Sequence, residues 1–241
     1  MLAALTAEAL KLRRSLVLLL CAAAPLMVAL LCAVMAMDHG AKGPWERYAL
    51  GGTALWAFFM LPMTVTALTI LLAQTEHGPR AWNHLLALPI PRWRYYVAKA
   101  VVVFALLALM SGLLWVGLIG GGLVADRLSP KLEFTGALPL WPVAKVLLTM
   151  LAGAVLVTAL QLWAALRFRS FVPPLVLGIG GTFVAVAATG AKQGAFFPWL
   201  IPTNALAADP ARADVAIGVG LWGGLAVLAL MLAHLSRYEP Q

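Results

Sequence analysis

The residues of this 241-residue chain best suited to metal or nucleophilic chemistry are four histidines and two cysteines, and their spacing denies them both roles. His39, His77, His84 and His234 are scattered along the chain; His77 and His84 share one stretch, but no acid or cysteine completes a ligand set around them. Cys21 and Cys32 lie eleven residues apart in one apolar run. On a helix that is about 16 Å along the axis, too far for a disulfide. Neither follows the small residue a lipoprotein cleavage site requires, since Leu20 and Leu31 precede them. No nucleophile–base–acid set stands out, and no Gly-x-x-x-x-Gly-Lys-[Ser/Thr] run cradles a phosphate. The sequence therefore predicts no catalytic residue, no bound metal and no cofactor of its own.

What remains is the chemistry of charge at the ends of apolar runs. Hydrophobic residues make up 63% of the chain and charged ones 11%, with mean hydropathy +0.95. That is more apolar surface than one soluble core can hide, and a bilayer resolves the excess. The net charge is +8, but the basic residues flank apolar runs instead of forming one patch. They report topology and exclude a nucleic-acid partner.

Six runs are long enough to cross a hydrocarbon core about 30 Å thick: residues 16–37, 48–73, 97–124, 142–166, 172–189 and 214–235, the fifth being the shortest. The first continues past signal-peptide length and reads as an uncleaved span. Between the last two, Ala195-Phe-Phe-Pro-Trp-Leu-Ile-Pro202 is apolar, short and broken by two prolines, which fits a re-entrant or interfacial element. No span carries a charge near its midpoint, which argues against an ion-coupled transporter.

Placing the N-terminus inside leaves ten basic residues on that side and seven outside. The tight Lys11, Arg13, Arg14 cluster before the first span supports the same orientation, with both termini cytoplasmic in a bacterial inner membrane. Along residues 1–15 and into the first span, Leu5, Ala9, Leu12 and Leu16 form one helical stripe, and Glu8, Lys11 and Arg14 step along the other side. Two readings fit: an amphipathic helix in the headgroup layer, or an extension of the first span.

The longest inner connection, 74–96, breaks at Gly78-Pro79 and restarts as a short helix over Arg80 to Leu88, with Glu76 just before that start. Pro89 and Pro91 stop it, and Trp93, Tyr95, Tyr96, Arg92, Arg94 and Lys99 anchor the next span at the inner leaflet. Trp82, Leu85, Leu86 and Leu88 need cover, either from a partner protein or from lipid.

The wording Leu-Leu-Ala-Leu-Pro-Ile-Pro-Arg-Trp-Arg-Tyr-Tyr-Val-Ala-Lys after a glutamate and a short helix resembles the coupling-helix region of type-2 ATP-binding-cassette exporter permeases. In outline the resemblance covers the whole chain, and it is closest to short permeases of bacteriocin, lantibiotic and bacitracin immunity. It implies an all-α membrane protein of six spans, with an interfacial N-terminal helix, a coupling helix between spans two and three, and the broken element before span six. It further implies a second permease subunit, identical or related, and a cytoplasmic ATPase dimer that holds ATP and magnesium. Glu76, Arg80, Trp82, Leu85, Leu86 and Leu88 would meet the ATPase, with Arg167 and Arg169 as a second contact. Membrane lipid is the remaining partner.

In that family the second and fifth spans line the path, which here points to Met60, Thr64, Thr66, Thr69, Gly178 and Thr182. Ordinary packing explains the same small and hydroxylated residues, as it does Gly117–Gly121 and Gly220–Gly224. The expected function is export of an amphipathic substrate, whether peptide, lipid or drug-like, by alternating access. The alternative is a non-transporting membrane scaffold or sensor that recruits a cytoplasmic protein through loop 74–96.

Overall fold

Every long apolar run is helical in the computed structural model, which describes residues 2–13, 15–77 and 91–237. α1 (Leu2–Leu12) leads through Ser15 into α2 (Leu16–His39). Gly40 ends α2 at φ 67, the left-handed geometry that glycine adopts without strain. α3 (Trp45–Leu55), a π turn (Trp56–Met60) and α4 (Leu61–His77) form one continuous rod. The π turn sits where Pro62 removes a backbone donor, and Leu61 N–H reaches back to Trp56 O.

After residues 78–90, α5 runs the full Arg92–Leu128. α6 (Leu140–Gly153) and α7 (Val155–Arg167) are bent by 45° at Ala154, and α8 is Val172–Ala187. α9 (Pro210–Gly218), a second π turn (Val219–Gly223) and α10 (Gly224–Arg237) close the chain.

Among the described residues, four helical rods are long and apolar enough to cross a membrane, and a fifth joins them if the bent α6–α7 pair is one span. α8 has 16 residues, about 24 Å of rise. The helices overrun the lengths read from hydropathy, α4 continuing through His77 and α5 starting at Arg92.

α2 packs along α5 through small residues: a Cβ at Gly117 would come within 2.8 Å of the Ala29 methyl. At the α6–α7 bend the same logic recurs, since a Cβ at Gly220 would meet Gly153 and one at Gly224 would meet Val155 and Leu156. Of the two glycine pairs singled out in the sequence, Gly117, Gly220 and Gly224 are close-approach points, while a Cβ on Gly121 would make ordinary contact.

Two three-residue strands, β1 (Lys42–Pro44) and β2 (Glu133–Thr135), pair in parallel at the end of the bundle opposite α1. Trp45 and Tyr48 stack on Phe134 there, at ring distances of 4.3 and 5.2 Å. The 195–202 stretch lies across two 3-10 turns, Lys192–Phe196 and Ile201–Leu206, that bury Trp199, Leu200 and Ile201 against the bundle. Arg212 ties it down, donating to Asn204 Oδ1 at 2.9 Å and to Ala191 O at 3.2 Å.

Candidate functional site

The polar side of α1 does not face solvent. Glu8 and Lys11, one turn apart, point inward between α4 and α5, while Leu10 on the same helix is exposed. Lys99, read from the sequence as an inner-leaflet charge, is completely buried. Glu76 is placed in the last turn of α4 and is buried too.

These four charges close a ring. Lys99 Nζ lies 2.7 Å from Glu76 Oε1 and 3.0 Å from Glu8 Oε2. Lys11 Nζ lies 2.6 Å from Glu8 Oε1 and 2.9 Å from Glu76 Oε1. Side-chain exposure is 0% for Lys99, 1% for Glu76 and 2% for Glu8, against 31% for Lys11. Tyr95 stands one helical turn before Lys99, and its ring faces both ammonium groups at 5.2 and 5.3 Å. Lys99 also donates to Leu72 O at 3.4 Å. Two cations and two anions make the ring neutral, so its burial is tolerable only while all four are present.

Three neighbouring residues of α4 carry the grip to different elements. Gln74 donates to Arg169 O at 3.2 Å, Glu76 joins the ring to α1 and α5, and His77 donates through Nε2 to Ala165 O at 3.1 Å on α7. The root of segment 78–90 is thus fastened to α1, α5, α7 and the turn after α7. Glu76 Oε2 is buried and has no hydrogen-bond partner among the described residues.

Burial pushes the Glu8 carboxyl up, but Lys99 and Lys11 outweigh it and hold the group below its ordinary value of 4.5. A depressed carboxylate contributes stability that is complete above the ordinary value and lost as pH falls through the depressed one. A spin label on Leu10→Cys should accordingly show a loosening step as pH falls below 4.5, and Glu8→Gln should remove that step. An acid-side step unchanged by Glu8→Gln would mean that Glu8 does not hold α1.

Of the sequence-derived contact residues, Arg80, Trp82, Leu85, Leu86 and Leu88 lie outside the described residues. Arg169 is exposed, and Arg167 is half-buried with Nη1 unpartnered among the described residues. Of the path residues, Thr64, Thr66, Thr69, Gly178 and Thr182 are buried within the chain, Thr66 and Gly178 where α4, α7 and α8 meet, and Met60 is half-buried. The hydroxyls bond back to their own helices: Thr64 to Leu61 O, Thr66 to Pro62 O, Thr69 to Val65 O and Thr182 to Gly178 O, at 2.7–2.9 Å.

Gln161 donates to Thr66 Oγ1 at 2.7 Å, and a Cβ on Gly178 would overlap both groups. Gln161 escaped the sequence reading, as did the roles of Glu8, Lys11 and Lys99. The only signals for the ring were the Glu8–Lys11 and Tyr95–Lys99 helical spacings.

A bundle of membrane-length helices with a buried charge clamp at the foot of one connection defines a multi-pass membrane protein built to hold that connection. The model of the ABC-2 family transporter proteins matches residues 4–185, well over half of the chain, and the chain belongs to this family. Family membership makes it the membrane component of an ATP-binding-cassette transporter, which works with a separate ATPase subunit. No curated protein and no solved structure matches it.

Proposed function

We propose that the chain is the permease subunit of an ATP-driven exporter. It crosses the bacterial inner membrane six times, with α8 as the short fifth crossing and both termini in the cytoplasm. Two such subunits, identical or related, pair above an ATPase dimer that carries ATP and magnesium, and an amphipathic substrate of the antimicrobial-peptide or lipid kind leaves by alternating access. The observation that carries this reading is the fastening of the last turn of α4 to α1, α5 and α7. A push on segment 78–90 from an ATPase would reach all three at once, which is what force transmission requires. Glu76 acts in this scheme as a positioning residue for Arg80–Leu88, while Arg167 and Arg169 meet the ATPase from the side.

The test is a reconstituted complex assayed for ATP hydrolysis and export together. Leu85→Asp is expected to abolish export while the permease still inserts, because it removes the docking surface alone. Export at the unaltered rate would sink the coupling assignment. A permease that never retains an ATPase through gentle solubilisation would favour a scaffold or sensor that recruits another protein through 74–96.

A further inference from the structure

A cavity of about 550 Å³ opens between α2 and α3 at the end of the bundle that carries β1 and β2. That volume falls within the range of about 300–1,000 Å³ usual for small-molecule sites. Its lining is graded along the helices. Leu31, Cys32 and Leu55 line its depth, and His39, Lys42 and Arg47 stand at its mouth. Eight residues separate Leu31 from His39, and eight separate Arg47 from Leu55, so about 12 Å of apolar wall lies beneath the cations. Among the described lining residues there is no carboxylate. Lys42 is paired with Glu133 at 3.0 Å, which leaves exposed Arg47 as the principal cation at the mouth.

We propose that this cavity is a binding site for an anionic phospholipid, with one acyl chain between α2 and α3 and the headgroup against Arg47 and Lys42. Three features favour a lipid over a second copy of the chain. The charge gradient runs along helices that cross the membrane, so cations meet the headgroup layer and leucines the hydrocarbon. Leu31 and Met35, on the wall formed by α2, are exposed and continue an apolar face through Met27 and Leu30, so the cavity opens sideways towards lipid. A two-fold contact between copies at this place would set the cationic mouth against itself. The site does not depend on export, and it holds whether the chain moves a substrate or only recruits a partner.

The experiment uses the full-length protein in nanodiscs with phosphatidylglycerol carrying a photoactivatable group near the end of one acyl chain. Phosphatidylcholine with the same chain is the comparison, and crosslinks are mapped by mass spectrometry. Phosphatidylglycerol is expected to label 31–35 and 51–55 in preference to phosphatidylcholine, and Arg47→Gln should reduce that preference about fivefold, the effect of one cation near an anionic headgroup. Gly51→Leu should abolish the labelling, since Gly51 lines the cavity with open space where a side chain would go. Arg47 is exposed, so its variant tests the headgroup contact even if Gly51→Leu folds poorly. Equal labelling by both lipids, indifferent to Arg47→Gln, would overturn the proposal. So would efficient oxidation of Gly51→Cys to a disulfide-linked dimer in native membranes, because a second copy would then cover the cavity.

Discussion

Lys99→Met should lower stability by about 3–5 kcal/mol, the loss expected when one member of a buried ion network is removed and its partners stay behind. Thermal unfolding in detergent reads it directly. The side chain is 0% exposed and bonds both Glu8 and Glu76, so methionine fills the volume but leaves two buried carboxylates sharing only the half-exposed Lys11. One of them must then take up a proton. The variant should therefore become less stable as pH is raised, because the unfolded chain releases that proton more readily than the folded one.

Adding Glu76→Gln to Lys99→Met removes one negative charge along with the positive one. The double variant should recover much of the loss, so that the two changes are far from additive. A Lys99→Met protein as stable as the parent, at every pH, would mean that the ring contributes nothing to the fold. The double variant also separates fold from coupling. If stability returns and export remains lost, the ring transmits force; if both return, its role is structural alone.

The ring was illegible in the sequence for a physical reason. Glu8 and Lys99 stand 91 residues apart, and each reads locally as a residue that solvent or headgroups would satisfy. A Glu–Lys pair one turn apart on a terminal helix is ordinarily a surface pair. Only the docking of α1 against α4 and α5 turns that stripe inward.

The membrane helices, by contrast, were legible because about twenty consecutive apolar residues leave few alternatives. Their ends were not, since hydropathy marks where hydrocarbon stops and hydrogen bonding carries α4 on to His77 and α5 back to Arg92. The bend at Ala154 has no proline within it and answers instead to Gly220 and Gly224 pressing in from another helix. Strands of three residues such as β1 and β2 are too short to carry a period. For the path residues, the α4 hydroxyls bond back to their own helix, and the partner of Thr66, Gln161, lies 95 residues away in the chain.

Gly178 and Gly180 offer the sharpest contrast in α8. Both are glycines in a helix interior, where alanine is intrinsically better by up to about 1 kcal/mol. A methyl on Gly180 meets nothing within 4 Å, so Gly180→Ala should leave the unfolding temperature unchanged or raise it. A methyl on Gly178 overlaps Thr66 Oγ1 and Cγ2 and Gln161 Nε2, in a contact where Thr66 and Gln161 are already bonded to each other. Gly178→Ala should therefore cost about 1–3 kcal/mol as α8 is forced away from α4 and α7.

Thr66→Ala in the same chain removes two of the three overlapping atoms and frees Gln161 to turn aside, so the penalty of Gly178→Ala should shrink in that background. If Gly178→Ala and Gly180→Ala were equally harmless, α8 would not be seated on Thr66 at all. If Gly178→Ala were harmful and Thr66→Ala gave no relief, the seat would be set by Gln161 alone. A penalty that Thr66→Ala relieves would place the contact between α4 and α8 at Thr66, the seat that any rocking of these two helices must open.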